Sequence, residues 1–306
     1  MSPKIRQTLY PVLAALIWGT AFVAQSVCTD FVQPFTFNAL RSTIAVAELA
    51  LGLWLYRRIR RRSRPEAVKP LANSRRDLIL GGLCCGTVLF VAANLQQAGL
   101  SETAPGKAGF ITALYIVLVP VMGLFLRHRA PFTIWIGVLL AAAGLYFLCM
   151  GTEKFALCRS DILVVLCAVV FAIHILVIDY FSQRVDGVAL CCAQLAVMAV
   201  LSGIAMALLE QPDWEGIRHC IWPILYVAIF SSGIAYTLQI LAQKDSDPTV
   251  VSLLLSLESV FSVLAGAVLL QSHLTGRELL GCVLVFAAVV LAQLPVRTKR
   301  SEEKAV

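Results

Sequence analysis

Three charged residues lie inside long apolar stretches of this sequence, and they are the first candidates for a functional site. Arg41 and Glu48 lie seven positions apart, and Glu258 lies in a second stretch far along the chain. A charged side chain within a membrane costs about 2.5–3.5 kcal/mol on insertion scales, so it marks a functional site by default. An arginine there can hold a carboxylate. A carboxylate in a low-dielectric environment can carry a proton near neutral pH.

The first two charges share one face of a helix. Asn38, Arg41, Ala45, Glu48 and Gly52 recur at helical spacing, so this stripe must look toward a cavity or toward partner helices. One interpretation is that Asn38 and Arg41 bind a substrate, with its carboxylate on Arg41, while Glu48 takes a proton or another cation. The other is that Arg41 and Glu48 form ion pairs or hydrogen bonds that hold helices together.

The composition defines the elements that must position these side chains. Of 306 residues, 59% are hydrophobic and 14% are charged, and the mean hydropathy is +0.83. A soluble chain has about 45–50% apolar and about 25% charged residues. These values exclude a soluble enzyme, a secreted disulfide scaffold and a disordered protein. The apolar runs have the length of membrane-spanning helices, which excludes a β-barrel.

Ten apolar segments follow one another along the chain, and we expect each to cross the membrane as a helix. They cover residues 8–28, 35–56, 78–100, 105–126, 132–150, 160–181, 188–209, 221–242, 249–271 and 276–295. The predicted fold is therefore an all-α polytopic membrane protein. Lys107, Asp161 and Asp179 lie near segment ends, where we expect their side chains to reach the membrane surface.

The basic residues predict the orientation. With the N-terminus in the cytoplasm, cytoplasmic segments carry 19 Lys and Arg residues and external segments carry five. Because positive loops stay in the cytoplasm, we expect both termini to lie inside. Nine of the basic residues fall between Arg57 and Arg76, in the loop 57–77. This loop either rests on anionic lipid headgroups or serves only as a topology anchor.

The chain also contains an internal repeat. When it is shifted by 143 residues, segment 91–126 aligns without gaps to segment 234–269, with eight identities in 36 positions. The alignment places the third and fourth apolar segments on the eighth and ninth, so the repeat unit has five spans. An odd number of spans inverts the second copy. Inverted repeats are a common transporter architecture, with the binding site near the midplane at the repeat interface.

The repeat relates Glu258 to Tyr115. Each lies ten residues after a proline, Pro248 or Pro105, that begins its segment. We therefore expect the two side chains at similar depth across the repeat interface, where a substrate would bind. In this interpretation Glu258 contributes to substrate binding and to proton coupling.

Further polar residues in the apolar segments either line the same site or form hydrogen bonds between helices. These candidates are Trp18, Asn94, Gln96, Gln97, Tyr236 and Gln239. His174, fourteen residues into the sixth segment, is either a proton relay or a packed histidine.

Several stretches together resemble a known family. LAALIWGTAFVAQ, QPFTFNALRSTIA, GFITALYIVLVPVMGLFL and the stretch from SLLLSLESVF to VLVFAAVVL are similar to the EamA-type branch of the drug/metabolite transporter superfamily. The resemblance divides the chain into one repeat at 8–150 and another at 160–295. It implies ten helices as two inverted five-helix repeats around a central cavity. It also implies a transporter of small metabolites in the plasma membrane, often an exporter of amino acids or related compounds.

The leading hypothesis is a secondary transporter that works by alternating access, coupled to protons or not. The sequence contains no nucleotide-binding motif, no metal-ligand spacing and no signature of an intramembrane enzyme. We therefore expect no catalytic residue, metal, cofactor or nucleic-acid partner. The alternatives are a drug or nucleoside facilitator and a non-transporting scaffold or sensor subunit.

Overall fold

The computed structural model describes residues 3–63, 75–103, 105–125, 131–149, 158–269 and 275–293. Every regular element in these residues is helical. The helices are α1 (Pro3–Cys28), α2 (Pro34–Ser63), α3 (Arg75–Gly99), α4 (Pro105–Ala113), α5 (Tyr115–Phe125), α6 (Phe132–Cys149), α7 (Arg159–Ser182), α8 (Gly187–Leu209), α9 (Trp214–His219), α10 (Ile221–Tyr226), the π-helical segment (Val227–Ala235), α11 (Tyr236–Gln243), α12 (Pro248–Leu255), α13 (Leu257–Leu269) and α14 (Gly276–Gln293).

Eight stretches of helix in the described residues are long and apolar enough to cross a membrane. They coincide with eight of the predicted segments. The shorter apolar helix Phe132–Leu148 and helix α14 occupy the fifth and tenth predicted segments. The chain is therefore a multi-pass α-helical membrane protein. Most of the basic loop 57–77, from residue 64 to residue 74, lies outside the described residues.

Local sequence signals set where the helices start. The Asp186 carboxylate accepts a hydrogen bond from the Ala189 backbone N–H at 2.9 Å and caps α8. In the same way, Asp247 accepts from Thr249 N–H at 2.8 Å and caps α12, with Pro248 in the first turn. These caps satisfy backbone donors that a helix leaves unpaired at its start.

The two halves of the chain interlock. Helix α1 packs on α13, α2 on α8, α3 on both α7 and α8, and α6 on α14. Each of these contacts joins a helix before residue 150 to one after residue 158. The core of the bundle is therefore built at the interface between the halves, and a site at that interface receives side chains from both.

Within the described residues, three of the apolar segments contain an interrupted helix beside this interface. Leu114 separates α4 from α5, and Ser256 separates α12 from α13. At each break a backbone N–H bonds to the carbonyl three residues earlier instead of four. Leu114 N–H donates to Ile111 O at 3.2 Å, and Ser259 N–H donates to Ser256 O at 3.2 Å. The third irregular stretch is the π-helical segment. Such interruptions are frequent at functional sites, and hydrophobicity alone does not predict them.

Gly19 brings α1 against α13. A Cβ atom at this position would lie 2.6 Å from the Glu258 carbonyl oxygen and 2.7 Å from Phe261 Cβ. We expect Gly19→Ala to lower the free energy of unfolding by about 1–3 kcal/mol, because an added methyl group has no space. Thermal denaturation of the purified protein in detergent measures this. Gly203→Ala is the matched control, since nothing lies within 4 Å of its added Cβ. Equal stability of the two variants would contradict the prediction.

Candidate functional site

A central cavity lies between the two halves of the chain. Its walls are mainly apolar, with convergent polar groups. They consist of Trp18, Phe22, Gln25, Arg41, Gln96, Thr112, Tyr115, Phe171, His174, Ile175, Ser231, Tyr236, Gln239, Leu255 and Glu258.

Arg41 supplies a positive charge to this cavity. Its side chain is 3% exposed. One guanidinium nitrogen, Nη1, donates to Gln25 Oε1 at 3.2 Å, and the group lies 5.7 Å from the centre of the Phe37 ring. In the described part of the chain no acidic side chain lies within ion-pair distance of it, and Nε has no hydrogen-bond partner. A buried cation without a counter-charge is costly, and the guanidinium has N–H groups that can pair with an anionic group.

Glu258 and Tyr115 meet across the cavity. The Tyr115 hydroxyl donates to Glu258 Oε1 at 3.1 Å, and both residues are buried. They follow the breaks at Ser256 and Leu114, which lie at nearly equivalent positions of the internal repeat. The two side chains that the internal repeat relates are therefore in contact. Glu258 is the acidic residue of the lining, so the cavity holds one positive and one acidic group.

Aromatic side chains form another part of the wall. Trp18 meets Tyr236 edge to face with ring centres 5.1 Å apart. The Trp18 indole N–H donates to the Ser231 carbonyl in the π-helical segment at 3.2 Å. His174 lies beside Tyr236 with ring centres 6.1 Å apart, and its Nε2 is 3.1 Å from Gln194 Oε1. These contacts hold the rings in place and leave His174 Nδ1 without a partner among the described residues.

Three predicted binding residues lie outside the cavity lining. Asn38 Nδ2 donates to Asn94 Oδ1 at 2.9 Å, and Asn94 Nδ2 donates to the Phe90 carbonyl at 2.7 Å. The first bond joins α2 to α3, as expected for interhelical hydrogen bonding, and the second lies within α3. Gln97 is also buried, at 1% exposure, and does not line the cavity.

Glu48 is also separate from the cavity. It is half-buried, and its carboxylate lies against Gly233 in the π-helical segment, where a Cβ atom would collide with it. Within the described residues, Glu48 forms no ion pair with Arg41. The alternative of a hydrogen bond between helices describes Arg41, whose bond to Gln25 joins α2 to α1. A larger residue at position 233 would have to displace the flexible end of the Glu48 side chain.

Several lining residues were not predicted from the sequence. Phe22 and Gln25 lie four and seven positions after Trp18 and so extend its helical face. That periodicity could have identified both residues. Thr112, Phe171 and the backbone around Ser231 carry no comparable signal, because apolar or small residues at such positions are ordinary in membrane helices.

Comparisons with known proteins agree with this architecture. The EamA-like transporter family matches residues 7–150 and again 159–294. An uncharacterized transporter of Archaeoglobus fulgidus is 30% identical over 288 residues, which are 93% of this chain and 84% of the relative. The uncharacterized transporter YwfM of Bacillus subtilis is 24% identical and covers 97% of each chain.

A solved crystal structure shares the fold. Its superposition has a TM-score of 0.76 at 22% sequence identity and covers 94% of this chain and 96% of the other. The multi-pass helical fold, the interfacial cavity and the two family matches agree with one another. The chain belongs to the EamA-like transporter family and is a membrane transporter of small molecules.

Proposed function

We propose that the protein is a secondary transporter of small metabolites that carry a carboxylate, and that it exports amino acids or related compounds across the plasma membrane. The observation that carries this proposal is Arg41, a buried cation at the cavity wall with no acidic partner in the described residues. A substrate carboxylate would satisfy its free donors. The apolar and aromatic walls would take the rest of the molecule.

The proposed mechanism is alternating access between two inverted five-helix repeats with ten spans in total. Its support is the pairing of helices between the halves and the breaks beside Tyr115 and Glu258. Interrupted helices at the repeat interface are typical of substrate sites in secondary transporters. In this proposal both termini lie in the cytoplasm, and the basic loop 57–77 faces anionic lipid.

Proton coupling is part of the same proposal, with Glu258 as the proton site. Glu258 lines the cavity and has Tyr115 as its hydrogen-bond donor. His174 also reaches the cavity and is a candidate relay, whereas Glu48 is not part of its lining. A proton and a substrate that compete for one buried site would provide the coupling.

The test is uptake of a labelled amino-acid panel into proteoliposomes, with and without a pH gradient. Saturable uptake that the gradient accelerates is the expected result. Saturable uptake that is the same with and without the pH gradient would contradict proton coupling and indicate a facilitator. No uptake of any amino acid would contradict the substrate class, and drugs and nucleosides would then be tested. Absence of flux for all classes would favour a scaffold or sensor.

A further inference from the structure

Apart from the cavity, polar contacts join the two halves at both ends of helix α7. Asp161 lies in the first turn of this helix, and Gln183 follows its last residue, Ser182. At 1.5 Å per residue, a helix of 24 residues separates its ends by about 36 Å. Each end of α7 lies beside a separate set of contacts between the halves.

The first set, the Asp161 cluster, consists of Thr103, Lys107 and Asp161. The Thr103 hydroxyl donates to Asp161 Oδ1 at 3.1 Å, and Lys107 Nζ donates to Asp161 Oδ2 at 2.5 Å. The Cys158 backbone N–H donates to the same Oδ2 at 2.8 Å. Asp161 is fully buried, which contradicts the expectation that it reaches the membrane surface. Its carboxylate instead ties the start of α7 to the start of α4.

The second set, the Asp245 cluster, consists of Arg6, Gln7 and Asp245. Arg6 Nη2 lies 3.3 Å from Asp245 Oδ2, and Gln7 Nε2 donates to the Asp245 carbonyl. Gln183 Nε2 donates to the neighbouring Lys244 carbonyl at 2.9 Å, which places this cluster at the far end of α7. These contacts tie α1 to the loop that precedes α12.

The two clusters occupy corresponding parts of the repeat. The Asp161 cluster connects the region between α3 and α4 to the start of α7, the first helix of the second half. The Asp245 cluster connects the region between α11 and α12 to the start of α1. The shift of 143 residues places Glu102 on Asp245. A carrier that exposes its cavity to one side at a time needs closing contacts at both ends that are broken in turn.

The clusters differ in their exposure. The side chain of Asp161 is 0% exposed and that of Lys107 is 20% exposed, whereas Arg6 and Asp245 are 42% and 35% exposed. An exposed ion pair contributes little to stability, and a buried one is costly to break at one partner. The Asp161 end is thus the more firmly closed of the two.

We propose that the Asp161 cluster and the Asp245 cluster are the two latches of the transport cycle, and that each must open before the cavity faces its side of the membrane. The proposed topology assigns the Asp161 latch to the outer side and the Asp245 latch to the cytoplasmic side. The inference rests on the proposed alternating-access mechanism, but not on the identity of the substrate.

The test measures access to the cavity with a cysteine probe. All ten native cysteines are replaced, Ser231 in the cavity wall is changed to cysteine, and a membrane-impermeant maleimide is added to intact cells or to inside-out vesicles. We expect Asp161→Asn to raise labelling in intact cells by about fivefold and to lower it in the vesicles, because the equilibrium between the two states shifts. Asp245→Asn is expected to do the reverse.

Two further variants make the result specific. Lys107→Met removes the other partner of the Asp161 ion pair and is expected to shift labelling in the same direction as Asp161→Asn. Glu102→Gln removes an exposed acidic charge beside the same latch and is expected to change nothing. Unchanged labelling in both asparagine variants, or increased labelling from both sides, would overturn the proposal.

Hydrogen–deuterium exchange is a second measurement, and it uses protein that retains its native cysteines. In the full-length protein, Asp161→Asn is expected to increase deuterium uptake at the starts of α4 and α7, and Asp245→Asn at the starts of α1 and α12. Uptake unchanged at these sites would overturn the latches whatever the cysteine probe shows. Neither measurement uses a substrate, so a failure of the amino-acid panel leaves this test intact.

Discussion

Replacement of Arg41 by methionine is expected to lower the flux of carboxylate-bearing substrates by about 100-fold. Removal of one partner from a buried, hydrogen-bonded charge pair costs about 2–5 kcal/mol, and about 2.7 kcal/mol corresponds to a factor of 100 in affinity. The measurement is initial uptake into proteoliposomes at substrate concentrations below saturation. Arg41→Lys is expected to retain part of the flux, because it keeps the charge but loses the planar fork that matches a carboxylate.

The fold should survive this substitution. In the described residues no acidic side chain would be left unpaired, and Gln25 would lose one hydrogen bond. Arg218→Met is the matched control, because Arg218 is exposed on the short helix α9. If Arg41→Met transports as well as Arg218→Met, the cavity does not bind substrates through this guanidinium. If it fails to elute as a folded protein, Arg41→Lys carries the test.

The membrane character of the chain could be read from the sequence because it depends on local composition. A run of about 20 apolar residues has few alternatives to a spanning helix. The positions at which α8 and α12 begin also depend on nearby sequence. The carboxylates of Asp186 and Asp247 accept hydrogen bonds from backbone N–H groups two or three residues later. Tyr115 and Glu258 are far apart in the chain, yet the internal repeat by itself relates the two positions that come into contact.

The distinction between cavity and helix contact could not be made from the sequence. Asn38 and Arg41 lie one turn apart on α2, but Asn38 bonds to Asn94 while Arg41 lines the cavity. Both residues satisfy the same helical pattern. Which one meets a neighbouring helix depends on how α3 packs, and that contact is between residues far apart in the chain.

Asp161 is a second residue whose surroundings could not be predicted from its position in the sequence. Its position near the end of an apolar segment suggested exposure at the membrane surface. The structure buries it, because Thr103 and Lys107 from the other half supply the hydrogen bonds that its carboxylate would otherwise take from water. A partner far away in the chain thus reversed an expectation that rested on position alone.

Glu258→Gln is expected to abolish the response of transport to a pH gradient while leaving substrate exchange in place. A glutamine has nearly the same shape and keeps an oxygen for the Tyr115 hydroxyl, so the cavity should stay formed. It cannot gain or lose a proton. One pH unit is worth about 1.4 kcal/mol per proton, so one coupled proton supports an accumulation ratio of up to about 10. We expect that ratio in the parent protein and a ratio of about one in the variant.

Two companion variants separate coupling from structure. Tyr115→Phe removes the hydrogen bond but keeps a carboxylate that can take up a proton, so the accumulation ratio should persist even if the rate falls. Glu215→Gln, on the exposed side of α9, should behave as the parent protein does. If Glu258→Gln still accumulates substrate against its gradient, the proton site lies elsewhere, and Glu48 is the next carboxylate to test. Loss of exchange together with accumulation would show that Glu258 is also needed for substrate binding, because a proton site alone is not needed when one substrate molecule replaces another.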